Sequence, residues 1–542
     1  MPPAALADMT PTYLSNATDL PWLVLKFGGT SVGKFLNAIT GTILKDALKT
    51  HRIVVVCSAL SNDTKSKGTT TRAAESVLET GLKDHIRIVD DILHDHMGAA
   101  EHHLQDPEVL SELKANLTKE CQKLKVFLDA AEVIDEVSPR SKDVIIGTGE
   151  KLACHIVSAS LRQCGVDAQY VSLEKLIKRP FDLQHLDQGF YDYLATEMAA
   201  AVHACGTRVP VVTGFFGPVP GSLLTTIGRG YTDLTAALIA VGINAQELQV
   251  WKEVDGIFTA DPRKVASARL LKVITPEEAA ELTYYGSEVI HPFTMEQVIR
   301  AHIPIRIKNV QNPGGAGTVI YPDLLGSSSR SASRTSLASA TSAGHPQQSP
   351  THSPRFLLEN GYHLDLTRRH PTAVTIKDNV VVLNVHSNRK SVSHGFFAHI
   401  FSTLDRYGII VDLISTSEVH VSMALSATAA PSNLNDAVVE LGRLGTVDIL
   451  RDMAILSLVG KQMRNMVGIA GRMFQTLAAA HVNIEMISQG ASEINISCVI
   501  HNDKAVTALR AIHDQLLAAN RVSLIGEVAE GEEGSTVVMV EA

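Results

Sequence analysis

The chain has 542 residues, 45% hydrophobic, 19% charged and only 5% aromatic, with a formal net charge of −9. That length exceeds what one core can fill, so three or more domains are expected. No basic stretch is available to hold a nucleic-acid backbone and no apolar run reaches membrane-spanning length, so neither nucleic acid nor a membrane is expected as a partner.

The six cysteines (Cys57, Cys121, Cys154, Cys164, Cys205, Cys498) are scattered, without a Cys-x-x-Cys pair, and most sit in apolar runs. They read as reduced core thiols of a cytoplasmic protein rather than as disulfides or metal ligands. The first twenty residues lack a basic region followed by an apolar run, which argues against a secretory signal. They read as a disordered tail.

The first structured stretch is Val24-Leu-Lys-Phe-Gly-Gly-Thr-Ser-Val32, a buried strand that ends in two glycines and two hydroxyls, with Lys26 near its end. A helix start near Val32 would add its positive end to backbone N–H groups left by the turn, which makes a polyphosphate site. A helix is expected across 35–49, then a second buried strand, Ile53–Cys57, running into Ser58. Continuous Val/Ile runs alternating with helices indicate a mainly parallel sheet covered on both faces. Residues 72–136 read as charge-rich helices beside it. Their His, Asp and Glu residues fit no common zinc spacing, and a solvated helix face is the better account.

Val144–Ile146 leads into Gly147-Thr-Gly-Glu-Lys151 and a helix ending near Gly165. Val209–Thr213 is a further strand. Gly228-Arg-Gly-Tyr-Thr-Asp233 enters a helix whose N-cap would be Thr232 or Asp233. Strand Leu248–Trp251 precedes Val254-Asp-Gly-Ile-Phe-Thr-Ala-Asp-Pro-Arg263. Pro276 and Pro292 stand where helices can start, and Ile303–Ile307 is the last strand of this part.

Residues 324–355 turn to Ser, Thr, Arg, Gln and Pro and read as a flexible linker. Beyond it lies an internal repeat. Gly395, Phe401, Leu404, Val411, Asp412 and Ser415 recur 73 positions later as Gly468, Phe474, Leu477, Ile484, Glu485 and Ser488. Each copy reads strand, loop, helix, strand, strand, a tandem ligand-binding module. The stretch 535–540 reads as a strand that completes the first copy.

Gly28-Gly-Thr-Ser-Val-Gly33-Lys34 fits most of a P-loop, but Phe35 stands where Ser or Thr should meet magnesium. Gly147-Thr-Gly-Glu lacks the third glycine of a dinucleotide fingerprint, so a redox cofactor is unsupported.

At Val24–Val32, Gly228–Asp233, Val254–Arg263 and Tyr285-Gly-Ser-Glu-Val-Ile-His-Pro292 the chain resembles aspartate kinases of the amino-acid kinase superfamily, most closely the fungal branch. The resemblance covers nearly everything from Trp22 onward. It implies an α/β amino-acid kinase fold over 21–322, a linker over 323–370, and two ferredoxin-like βαββαβ ACT domains over 371–450 (completed by 534–542) and 451–533.

It further implies transfer of the ATP γ-phosphoryl, with Mg2+, to the β-carboxylate of L-aspartate, the first step of threonine and methionine biosynthesis. Lys26 would contact the transferring group, and Gly28, Gly29 and Thr30 would cradle phosphates. Ser58 would face phosphates or substrate. Lys252, Glu253, Phe258 and Arg263 would line the nucleotide. Arg229 would fork onto a substrate carboxylate, with Thr64, Glu150 and Asp233 as further substrate or organising residues. Glu288 stands where bacterial relatives carry an ATP-contacting lysine, so that role is not transferred, and His291 reads as structural.

In the repeats, Ser393, Gly395, Asp412 and Ser417 would hold an amino-acid effector. Threonine is implied, with lysine second, in a homo-oligomer joined through the ACT domains. Two other readings stand beside this one: a different amino-acid kinase acting on a glutamate derivative, and an inert amino-acid sensor. The Gly-Arg-Gly-x-x-Asp motif with the repeat pair argues against the first, and intact Lys26, Arg229 and Asp233 argue against the second.

Overall fold

The computed structural model describes residues 13–61, 85–134, 137–179, 181, 186–217, 219, 222–223, 230–284, 290, 292–321, 370–387, 395–417, 420–426, 431–461, 463, 466–490 and 494–518. The chain divides into two compact units: Met1–Gly256, Lys272–Pro276 and Ile290–Phe356 form one, and Ile257–Leu271, Glu277–Val289 and Leu357–Ala542 the other.

In the first unit, β1 (Trp22–Phe27), β2 (Arg52–Cys57), β3 (Ala168–Val171), β4 (Val209–Thr213), β5 (Glu247–Lys252), β6 (Val273–Ile274), β7 (Ile305–Asn309) and β8 (Thr318–Ile320) form one sheet, ordered β3-β4-β2-β1-β5-β7-β8-β6. Neighbours run parallel except β7 and β8. Strand β1 lies near the centre and is buried along its whole length. This is what an unbroken apolar run such as Trp-Leu-Val-Leu demands, since helices cover both faces of such a sheet.

The helices of this unit are α1 (Gly29–Ala38), α2 (Leu44–Leu48), α3 (His85–His103), α4 (Pro107–Ile134), α5 (Pro139–Gln163), α6 (Gln188–His203) and α7 (Tyr231–Gly242), and α9 (Pro292–Arg300) follows later in the chain. Between the units' segments, α8 (Pro276–Tyr284) opens on Pro276 as expected, and α9 opens on Pro292. Helix α1 begins six residues earlier than the apolar pattern implied. Phe35 leaves helical geometry, and a π turn, Ile39–Ile43, links α1 to α2.

Helix α5 is one continuous element through Val144–Gly149. Its length and composition would suffice to cross a membrane, but 89% of its apolar window is buried inside the protein. Glycine is required at 147 because a Cβ there would lie 2.5 Å from the Phe215 ring. Part of the expected tail is also anchored. Asn16 is fully buried, accepting from the Ile53 N–H at 2.7 Å and donating to its carbonyl at 3.1 Å, and Leu14 bonds to Gly165 and Asp167.

The second unit holds one antiparallel sheet, β10-β11-β9-β12-β14-β13, made of β9 (Ala373–Ser387), β10 (Val411–Thr416), β11 (His420–Ser426), β12 (Gly445–Val459), β13 (Met486–Ser488) and β14 (Asn495–His501). Its helices are α10 (Phe396–Arg406), α11 (Pro431–Leu441), α12 (Ile469–Ala479) and α13 (Ala505–Ile512). The repeat is visible in its caps. Gly395 and Gly468, 73 residues apart, precede α10 and α12 with φ of 87° and 84°.

Strands β9 and β12 serve both copies. Residues 380–387 of β9 pair with 445–453 of β12, while 373–377 pair with 455–459. The strand completing the second copy therefore comes from upstream of the first, and position 450/451 falls inside β12 rather than between domains. Residues 534–542, expected to complete the first copy, and the linker 324–355 lie outside the described residues.

Candidate active site

Parallel strands place their following loops along one edge of the sheet, and open α/β sheets bind ligands at that edge. Register puts Phe27 beside both Cys57 and Trp251, so Gly28, Ser58 and Lys252 emerge together. Phe27 and Trp251 stack with centroids 5.9 Å apart beneath them.

Gly28 is the N-cap of α1, so the expected tight turn is the first turn of a helix, with the N–H groups of Gly29 and Thr30 at its positive end. Gly29 cannot carry a side chain, because a Cβ would lie 1.9 Å from the Ala59 carbonyl oxygen. The loop after β2 is held there, with Ser58 N–H donating to Phe27 O and Ser61 N–H to Gly29 O, both at 3.2 Å. Gly33 and Lys34 lie within α1. The P-loop-like run is thus helix, in agreement with its rejection from sequence.

Lys26, at the end of β1, meets Asp233 with Nζ and Oδ1 2.6 Å apart, and the two side chains are 11% and 15% exposed. Helix α7 starts at Tyr231 with Gly230 as its N-cap, two or three residues before the caps expected from sequence. That shift places Thr232 and Asp233 in the first helical turn and frees both side chains. Asp233 takes Lys26, and the Thr232 hydroxyl donates to Glu150 Oε1 at 2.8 Å.

Glu150 comes from the middle of α5 and is 2% exposed. Its second oxygen accepts the Phe215 N–H, and Tyr231 supplies a further hydrogen bond. Burial pushes its carboxyl up to about 7, against the opposing pull of those three donors and of the Lys26 charge. The Tyr231 hydroxyl is itself pushed well up by burial and by this carboxylate.

The remaining expected residues fall into three groups. Lys252 ends β5 at the same edge, its carbonyl accepting from Val310 N–H, and Glu253 follows it exposed to solvent. Thr64, Arg229, Ser393, Glu288 and His291 lie outside the described residues. Phe258 and Arg263 belong by packing to the second unit. There Phe258 bridges Leu270, and Arg263 is forked onto Asp261 at 2.9 and 3.0 Å, which holds the Asp261 carboxyl below its usual range.

Around them, Ala260 and Val265 enter the core of the second repeat copy. Thr259 bonds the fully buried His513 at 2.9 Å. No local pattern in 257–271 announced that attachment.

In the first repeat copy, Gly395 caps α10 and Ser417 is exposed, its N–H bonding His420 O. The Asp412 side chain is 2% exposed, with Oδ1 2.7 Å from Lys377 Nζ, a partner that sequence reasoning did not find. Asp412 Oδ2 is buried and has no hydrogen-bond partner among the described residues.

The amino acid kinase family matches residues 21–309, and an ACT domain matches 456–516. Over 510 residues the chain is 53% identical to the aspartokinase of Schizosaccharomyces pombe, covering 93% of this chain and 94% of that protein. The chain belongs to the aspartokinase family.

Saccharomyces cerevisiae aspartokinase is 50% identical over 508 residues, 92% of this chain and 93% of that one. Among solved structures, E. coli aspartokinase III in complex with aspartate and ADP matches with a TM-score of 0.66 at 26% identity, covering 91% of this chain and 99% of that one. The same enzyme in complex with lysine and aspartate matches with a TM-score of 0.68 and equal coverage. The aspartokinase family thus accounts for both units, the sheet that carries Lys26 and the repeated module.

Between its ordinary value and about 7, buried Glu150 keeps a proton that the unfolded chain releases. Its contribution to stability is full below the unfolded value and is lost as pH rises through 7. Glu150→Gln carries no charge to bury. Its melting temperature relative to wild type should climb by about 2 °C or more between pH 5 and pH 8 in thermal denaturation. A constant offset across that range would contradict the assignment.

Proposed function

We propose that the chain is an aspartate kinase, moving the terminal phosphoryl of ATP onto the side-chain carboxylate of L-aspartate. A carboxylate oxygen attacks the γ-phosphorus, the bond to the β-phosphate bridging oxygen breaks, and ADP and an acyl phosphate leave. The observation that carries this reading is the Lys26–Asp233 pair at the sheet edge beside the start of α1, in a chain half identical to aspartokinases.

Charge migrates from the γ-oxygens toward the leaving oxygen during transfer, and the protein's task is chiefly to position and neutralise it. Lys26 suits that task because Asp233 fixes its ammonium in one place. The N–H groups of Gly29 and Thr30, with Ser58, support the phosphates, and Lys252 and Glu253 flank the nucleotide. The Arg229 guanidinium is the fork for an acceptor carboxylate. Glu150, one hydrogen bond behind Thr232, supplies negative charge toward the acceptor's ammonium once pH passes about 7.

Magnesium fits as a companion of the nucleotide. Among the described residues at this edge, Asp233 is taken by Lys26 and Glu150 by Thr232 and Phe215, so neither is left to build a protein cage. The ion would be held by phosphate oxygens and water.

The ACT pair supports feedback control, and threonine is the proposed effector. Lys377 already neutralises Asp412, so that carboxylate offers less to a cationic side chain than to an uncharged one. Exposed Phe397, Phe401 and Val439 on α10 and α11 support a homo-oligomer, which light scattering would contradict by returning a monomeric mass. Six free thiols, five of them buried, support a reducing cytoplasmic setting.

Purified protein with MgATP, L-aspartate and hydroxylamine should form aspartyl hydroxamate, and Lys26→Met should reduce turnover on the order of 1,000-fold while the fold is kept. No product from wild type, or near-native turnover in the variant, would overturn the reading. Threonine should inhibit at concentrations where lysine does not, and equal or reversed potency would remove the effector assignment.

A further inference from the structure

Strands β9 and β11 carry a pair of histidines that nothing above uses. Along Val381-Val-Leu-Asn-Val-His386, residues 381, 383 and 385 join the core formed with α10 and α11, and so do Val421, Met423 and Leu425 of β11. Side chains alternate along a strand, so the residues between these face the other way. His386 and His420 are direct partners in the β9–β11 register, as are Asn384 and Ser422 beside them. The two rings therefore stand side by side on the face turned away from those helices.

Their Nδ1 atoms are 3.2 Å apart, and the ring centroids 5.4 Å. Two imidazole nitrogens bound to one zinc-like ion, each about 2.0–2.1 Å from it, lie roughly 3.0–3.4 Å from each other near tetrahedral angles. His420 Nε2 is 2.9 Å from Ser422 Oγ. With Nε2–H donating to that hydroxyl, Nδ1 of His420 carries a lone pair, and the ring is held in one orientation. His386 is exposed, so it can keep its proton on Nε2 toward water and offer Nδ1 as well. Both nitrogens then aim lone pairs into one gap, an arrangement that a cation relieves.

We propose that His386 and His420 form a site for a divalent transition-metal ion such as Zn2+, with water filling its remaining positions. Neutral imidazole suits zinc, copper and nickel, whereas magnesium and calcium take oxygen donors. Another cluster, His85 with Asp129 and Glu132 on α3 and α4, offers a single imidazole beside two carboxylates that are more than half exposed. One nitrogen donor makes it the weaker site for such an ion. The histidine pair bridges β9 and β11 next to the β10–β11 turn, where the Ser417 N–H donates to the His420 carbonyl at 2.8 Å. The proposal does not depend on the kinase reading.

Calorimetric titration of the full-length chain, carrying no histidine tag, with Zn2+ tests this. A saturable site for one ion should appear, and zinc should raise the melting temperature. His386→Gln and His420→Gln should each weaken binding on the order of 100-fold, and Ser422→Ala, which frees the His420 ring, about tenfold. His85→Gln should bind zinc as wild type does. The two histidine variants stand on different strands, so either suffices should the other not fold.

No saturable binding by wild type would overturn the proposal and leave the pair a hydrogen bond between strands. Unchanged zinc affinity in a folded His386 or His420 variant would overturn it equally. Loss of the site in His85→Gln, with both β-strand variants binding normally, would put the ion on α3 and α4 instead.

Discussion

A lysine at the end of a buried central strand must find a counter-charge or be driven toward neutrality, and in this chain it finds Asp233. That single contact ties the central strand β1 to helix α7. The two charged atoms are 2.6 Å apart, and the pair is only slightly exposed. Removing either partner would leave the other an uncompensated charge in a desolvated place. Everything else at the sheet edge serves to keep the two ends of that bond where they are.

Helix α5 does most of the keeping. Its face presents Asp143, Gly147, Glu150 and Cys154 in turn. They meet Ser222 and Leu223, the Phe215 ring, Thr232 and the Phe215 N–H, and the Val212 carbonyl. Successive turns thus hold β4 and pieces of the chain that follows it. Glycine at 147 is part of this arrangement, since any side chain would displace Phe215 and with it one partner of Glu150. The elevated Glu150 carboxyl is the cost of burying an acid to organise a site, partly offset by its donors.

Much of this was legible in the sequence, for a physical reason. Strands buried on both faces are written as unbroken apolar runs, so β1, β2 and β4 stood out within a residue or so. Lys26, Gly29 and Asp233 stood out because a charge or a glycine interrupts such a pattern. The repeat was legible too, because both copies need the same backbone at Gly395 and Gly468. What escaped detection depends on contacts distant in the chain. The start of α7 at Gly230 and of α1 at Gly28 are set by what Thr232 and Gly29 pack against. Nothing in the local pattern marks Asp143 as buried. Lys377 is 35 residues from Asp412 in the chain, and the attachment of 257–271 beside His513 spans more than 240. Neither separation has a local signature.

The central claim is that Lys26 and Asp233 act as one unit in phosphoryl transfer, the aspartate holding the ammonium rather than contributing separately. A double-mutant cycle on kcat/KM for Lys26→Met and Asp233→Asn measures this directly. The account predicts strong coupling, with the double variant no worse than the Lys26 variant within about threefold. Losses that simply multiply would show two independent contributions and contradict it.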